Sequence, residues 1–330
     1  MSVLAQFALN NLLPALLAGS LAWAFVHAAV RVLGIRHGRL RLCLYAAPLL
    51  KSTLVLLGLL PVLPWPREIF GPWWAQALPV ETVLPWFILS TGLLILGQWF
   101  ARDRARRRLL AGSNSQAPPR LVQSLDRVMD AYRNNVERIV GRCRFDGVPA
   151  RPNLRAIHRD LRGPAVVFGE EPVIVFPAAM VESLSDPELD ASLAHEVAHV
   201  YLRQPASCFS AENVRAMSAA NPFGALIAAQ LHREEEKACD DIAVDVLSNR
   251  DDYADMLIRV YRLGRSSAAN PSLRYAHQLL GTGPMFSERI EHLLARDDTS
   301  ASSWERVAFG AVWIVLLAVF FAGLIAAFVL

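Results

Sequence analysis

Apolar residues in this chain gather in long runs instead of alternating with polar ones. Four runs, Leu12–Leu33, Leu42–Leu63, Val83–Phe100 and Val307–Val329, are long enough for a helix to cross a hydrocarbon core, which takes about 20 residues. They predict three membrane helices within residues 1–100 and a fourth within 304–330. Between them, in 101–303, the pattern changes. "LVQSLDRVMDAYRNNVERIVGRC" (121–143) spaces its apolar positions as an amphipathic helix does. From Asn153 to Phe176 short apolar runs predict strands, with "GEEP" turning "PAVVFG" into "PVIVF" as a hairpin. Val173–Phe176 is expected at the edge of that small sheet.

A well-marked helix start follows in "SLSDPELDASLAHEVAHVYLRQP". Ser185 is placed to cap it, and Glu188, three residues on, completes a capping box. Leu184 can staple against Leu189, while Leu189, Leu193, Val197 and Val200 form an apolar stripe and Pro205 ends the helix. A second long helix is expected from Pro222 to Leu247, apolar at first ("FGALIAAQL") and then charged ("HREEEKACDD"). "SERIEHLLAR" (287–296) predicts a short helix before the last apolar run.

Composition agrees with a membrane chain: 54% of the 330 residues are hydrophobic and 19% charged. The first apolar run lacks a basic leader and a small-residue cleavage site, so it is expected to be retained. Arginines set the orientation. Arg31, Arg36, Arg39 and Arg41 lie between the first two runs, and "ARDRARRRLL" follows the third, whereas the loop between the second and third holds one arginine and three tryptophans. The expected topology puts both termini outside and 101–303 in the cytoplasm. Those arginines account for the net charge of +3, so nothing points to nucleic acid. Four scattered cysteines, Cys43, Cys143, Cys208 and Cys239, show no disulfide pattern and suit a reducing compartment. Lys51 sits near the middle of the second run, where a charge is costly, with His27 as a candidate partner for packing.

The chemistry concentrates in "LAHEVAHVYLR" (193–203). His195 and His199, four apart on one helix, share a face and can direct nitrogens at one ion about 2 Å away. Glu196 projects from a neighbouring direction, where it can take a proton from a water at the ion and later return it to a leaving amine. A catalytic zinc commonly takes two histidines and one carboxylate, and "HREEEKACDDIAVD" offers three glutamates and three aspartates. Spacing alone does not choose among them. Asp240 stands four residues after Glu236 and can orient a histidine. Cys239 is either a soft ligand or packed core.

The segments "GEEPVIVFPAAMVESLSDPELDASLAHEVAHVYLR" and "NPFGALIAAQLHREEEKACDD" resemble the BlaR/MecR-type integral-membrane zinc metallopeptidases. The fold this implies is mainly α: four transmembrane helices with a cytoplasmic α+β zincin-like metalloprotease domain, 101–303, inserted between the third and fourth. The resemblance implies one zinc ion per chain, held by His195, His199 and Glu236, with Glu196 as base and Asp240 supporting the histidines. It also implies that Val173, Ile174, Val175 and Phe176 bind substrate as an added strand. The implied partners are the lipid bilayer and a protein substrate, either a transcriptional repressor or other regulator or a membrane protein.

Two departures stand out. Arg203-Gln204 replaces the Arg-Asp pair common after the second histidine, and the chain ends at Leu330, so no extracellular penicillin-binding sensor is expected after the last span. The HtpX/CAAX-protease type shares both motifs but differs in span layout. By that second likeness His277 and Arg289 are candidates for polarising the substrate carbonyl. A silent receptor or scaffold is the non-enzyme alternative, and the intact Glu196 argues against it.

Overall fold

The structure is a computed structural model describing residues 2–60, 80–110, 117–135, 151–157, 163–167, 171–202, 221, 223–247, 250–266, 283–295 and 302–328. Along the chain run α1 (Val3–Phe7), a π-helical turn (Ala8–Leu12), α2 (Leu13–Val32), α3 (Gly38–Leu56), α4 (Val80–Leu110) and α5 (Pro119–Asn134). Strands β1 (Asn153–Ile157), β2 (Ala165–Val167) and β3 (Val173–Pro177) follow. The rest is helical: α6 (Ala178–Ser183), α7 (Asp186–Leu202), α8 (Phe223–Leu247), α9 (Arg250–Ser266), α10 (Gly283–Leu294) and α11 (Ser303–Phe328).

These elements fall into two compact units. The first comprises 1–100, 209–235 and 301–330, the second 101–208 and 236–300. The expected continuous 101–303 domain is interrupted, however, because Asn221 and the first half of α8 group with the span-bearing unit. The cause is visible in the side chains. Phe223, Ile227 and Leu231, spaced four apart along one helix face, bury in a cluster with Val26 and Val30 of α2, Leu44, Tyr45 and Leu49 of α3, and Ala308 and Val312 of α11. Gly19 of α2 is required there, since a Cβ at that position would stand 2.7 Å from the Phe223 ring.

Within the first unit, α2 ends at Val32 with Leu33 as its cap, and Gly34 takes the left-handed conformation (φ 66°) that a side chain disfavours. The Ile35 N–H then bonds back to the Val30 carbonyl at 3.0 Å. Glu305, in the first turn of α11, accepts from the backbone N–H groups of Arg36 (2.6 Å) and His37 (2.9 Å), tying the start of α3 to the start of α11. His27 Nδ1 pairs with the Tyr45 hydroxyl at 2.8 Å.

Three helical stretches are long and apolar enough to cross a membrane: Ala5–Val32, Glu81–Ala101 and Ser303–Ala322. The second expected run forms α3, whose 19 residues include Arg39, Arg41 and Lys51. That charge keeps it out of this group, so three candidate spans stand among the described residues where four were expected. Exposed apolar side chains cover α4 and α11, with Trp86 70%, Ile88 61% and Ile314 68% exposed. Faces of that size are uncommon against water and suit hydrocarbon.

The second unit packs α5, α6, α7, the second half of α8 and α9 around one core. That core includes Leu121, Leu125, Tyr132, Ile174, Phe176, Leu189, Leu193, Val197 and Tyr253. One half of the capping box forms: Glu188 accepts from the Ser185 N–H at 2.7 Å, while the Ser185 hydroxyl donates to the same carboxylate at 2.7 Å. Leu184 and Leu189 are both buried. Arg120 of α5 holds the α6–α7 junction, donating to the carbonyls of Val181 and Leu184 (2.7 Å each) and to Asp186 (2.6 Å).

The sheet has the order β1-β3-β2. β2 and β3 are antiparallel neighbours, with Val166 opposite Ile174, as the hairpin predicts. β3 is not an edge strand, and this corrects the sequence expectation. Val173–Phe176 also pairs in parallel with β1, Leu154 facing Ile174, and every residue of β3 is buried. With both sides of its backbone occupied, β3 cannot take an added strand, so Val173, Ile174, Val175 and Phe176 are core. Among the described residues the sheet edges belong to β1 and β2.

Candidate metal centre

Helix α7 runs through its two histidines without interruption, so His195 and His199 stack one turn apart, with ring centroids 4.9 Å apart and planes at 88°. The second half of α8 brings Glu236 against them. Glu236 Oε2 lies 3.5 Å from His195 Nε2, and Oε1 lies 3.5 Å from His199 Nε2. One donor atom from each of the three residues lies within 4.8 Å of the other two. Glu196, next to His195 on α7, is 2% exposed.

Each histidine uses its other nitrogen behind the cluster. His195 Nδ1 lies 2.9 Å from the Tyr253 hydroxyl and 3.1 Å from Asp240 Oδ1. Tyr253 itself donates to Asp240 at 2.7 Å. His199 Nδ1 faces Cys239 Sγ at 3.3 Å. Such partners fix which ring nitrogen carries the proton and leave the other for an ion. Glu236, Cys239 and Asp240 occupy positions i, i+3 and i+4 of α8 and share a face.

Arg289 of α10 closes the network. Its Nε and Nη2 donate to the two carboxylate oxygens of Asp240 (2.8 and 2.7 Å), and its Nη1 lies 2.9 Å from Glu236 Oε2. The fork engages protein carboxylates inside the cluster and lies 3% exposed. The neighbouring contacts Asp241–His292 (2.8 Å) and Lys237–Glu288 (3.5 Å) hold α10 against the same stretch of α8.

Burial and the Arg289 charge both pull the His195 pKa down, but hydrogen bonds to Asp240 and Glu236, with the Asp240 charge, push it up to about 9. Burial also acts against ionised Asp240. The Arg289 guanidinium and the hydrogen bonds from His195 and Arg289 nevertheless hold that carboxyl well below the usual range. Two imidazole nitrogens and a carboxylate oxygen are the donor set that zinc takes in hydrolytic sites, and here they converge within 4.8 Å, so the residues fit the ion.

Of the sequence candidates, the structure brings together His195, His199, Glu236, Asp240 and Arg289, with Glu196 beside His195. His277 lies outside the described residues, as do Arg203 and Gln204. Tyr253 was missed. It stands 58 residues from His195 on a helix with no motif of its own, and only its pairing in space marks it. Cys239, left between ligand and core, is buried behind His199.

A family model described as BlaR1 peptidase M56 matches residues 120–293, just over half of the 330 residues. A search of curated proteins found no match.

Proposed function

The chain belongs to the BlaR1 peptidase M56 family, and from that premise we propose a zinc endopeptidase of the bacterial cytoplasmic membrane that cleaves a cytoplasmic or membrane-adjacent protein. Membership in that family implies a membrane-associated metallopeptidase. The observation that carries the finer reading is the convergence of His195, His199 and Glu236 within 4.8 Å, with Glu196 buried at the same turn of α7.

In this reading His195 and His199 offer Nε2 and Glu236 a carboxylate oxygen to the ion, which supplies Lewis acidity toward a peptide carbonyl when bound. The Glu196 carboxylate accepts a proton from the attacking water and hands it to the departing amine nitrogen. Asp240 and Tyr253 hold His195 in the tautomer that frees Nε2. Arg289 neutralises Asp240 and Glu236 and keeps them in place, with polarisation of the substrate carbonyl as its further role. The topology that goes with this proposal has four spans, α3 being the second, with 101–303 cytoplasmic and both termini outside. The arginine-rich loops support it. The proposed substrate is a transcriptional repressor or another regulator.

The test uses the full chain in lipid nanodiscs, a fluorogenic peptide library and metal analysis. Glu196→Gln is expected to keep one zinc per chain and to lose activity by about 10²- to 10⁴-fold, the usual contribution of a general base. Retained activity in a variant with full zinc overturns the reading.

A further inference from the structure

We infer that Cys239 is a positioning residue for the metal centre: its sulfur accepts the hydrogen bond from His199 Nδ1 and so aims His199 Nε2 at the ion. The inference rests on the zinc reading above. The geometry separates this role from the two obvious alternatives. A ligand sulfur would have to share the space between the Nε2 atoms and Glu236, yet Cys239 Sγ lies 3.3 Å from the opposite nitrogen, Nδ1. A cysteine that merely fills core would have no reason to meet the one polar atom of His199 that faces away from Glu236.

The face of α8 supplies the pattern. Glu236 approaches both Nε2 atoms, Asp240 takes His195 Nδ1, and Cys239 takes His199 Nδ1. One helix therefore provides a ligand and a back-side partner for each histidine. The two partners differ in charge for a reason. Arg289 already answers the two buried carboxylates Asp240 and Glu236. A further carboxylate behind His199 would be one more buried acid to compensate. A cysteine holds the ring without one.

The experiment uses the full chain in detergent with zinc and cobalt(II) as probes. It compares wild type, Cys239→Ala and Cys239→Ser for zinc affinity by chelator competition, for the cobalt(II) absorption spectrum and for the Tm of the metal-free protein. Alanine is expected to weaken zinc by about 10- to 100-fold, as loss of a ligand's partner does, and to shift the cobalt spectrum. Serine, which keeps an acceptor of similar size, is expected to recover most of both. Wild-type affinity and spectrum in the alanine variant overturn the inference. So does a serine variant no better than alanine when both metal-free proteins melt with the wild type. Failure of the wild type itself to bind zinc would instead strike the underlying zinc reading.

Discussion

Arg289 carries more of the centre than its place outside both sequence motifs suggests. Removing it by Arg289→Ala strips Asp240 and Glu236 of the guanidinium that both contact, and breaking such a buried pair costs about 3 to 5 kcal/mol. Denaturant unfolding of the metal-free protein should show that loss. His195 sets a pH dependence. Its pKa of about 9 lies above the ordinary histidine value of about 6.5. A raised folded-state pKa stabilises the metal-free fold fully below about pH 6.5, and that contribution disappears as pH rises through about 9. Zinc needs the neutral ring, so its apparent affinity should move the opposite way, climbing toward pH 9 and levelling there. Melting curves and chelator competition across this range check both signs, and zinc affinity that is flat between pH 7 and 8.5 contradicts the assignment. The histidines and Glu196 were legible because a four-residue spacing on a helix fixes a shared face. Tyr253 was not, because it comes from a helix packed against that face and no sequence spacing encodes it, and Arg289 was named only by a family likeness, without its contacts to Asp240 and Glu236.

At the scale of elements, helix α7 was readable down to its cap. Ser185 and Glu188 interact within one turn, and local interactions leave local signatures. Strand β3 was not. Its apolar run, Val173–Phe176, fits a buried strand of any position, and edge or centre depends on which other strands pair with it. β1 lies beyond an intervening strand, and its parallel pairing with β3 leaves no mark in either segment. The central position has an energetic consequence. Ile174 is 0% exposed between two neighbours, so Ile174→Ala is expected to cost about 2 to 5 kcal/mol, measured by denaturant unfolding. A strand at a solvent edge would lose much less.

At the scale of the molecule, hydropathy located the long runs but assigned α8 wholly to the region between them. The first half of α8 belongs with α2, α3 and α11 because Phe223, Ile227 and Leu231 are buried among them. A window that averages α8 over its full length mixes this apolar half with the charged half and hides the division. The change from "FGALIAAQL" to "HREEEKACDD" marks the two halves in the sequence, and the contacts show where the first half packs.

That division bears on how the protein can be dissected. A fragment cut at 101 and 300 looks like a soluble peptidase by hydropathy, and it contains the whole candidate metal centre. It would nevertheless carry the Phe223, Ile227 and Leu231 stripe stripped of every partner from α2, α3 and α11. Such a fragment is expected to self-associate or to need detergent, and light scattering together with size-exclusion chromatography would show it. Replacing the three residues by serine should restore a monodisperse fragment. A monomeric unmodified fragment would mean that the stripe finds cover within residues 101–300. The useful unit for biochemistry is therefore the intact chain in a bilayer mimic, with the scissors left off α8.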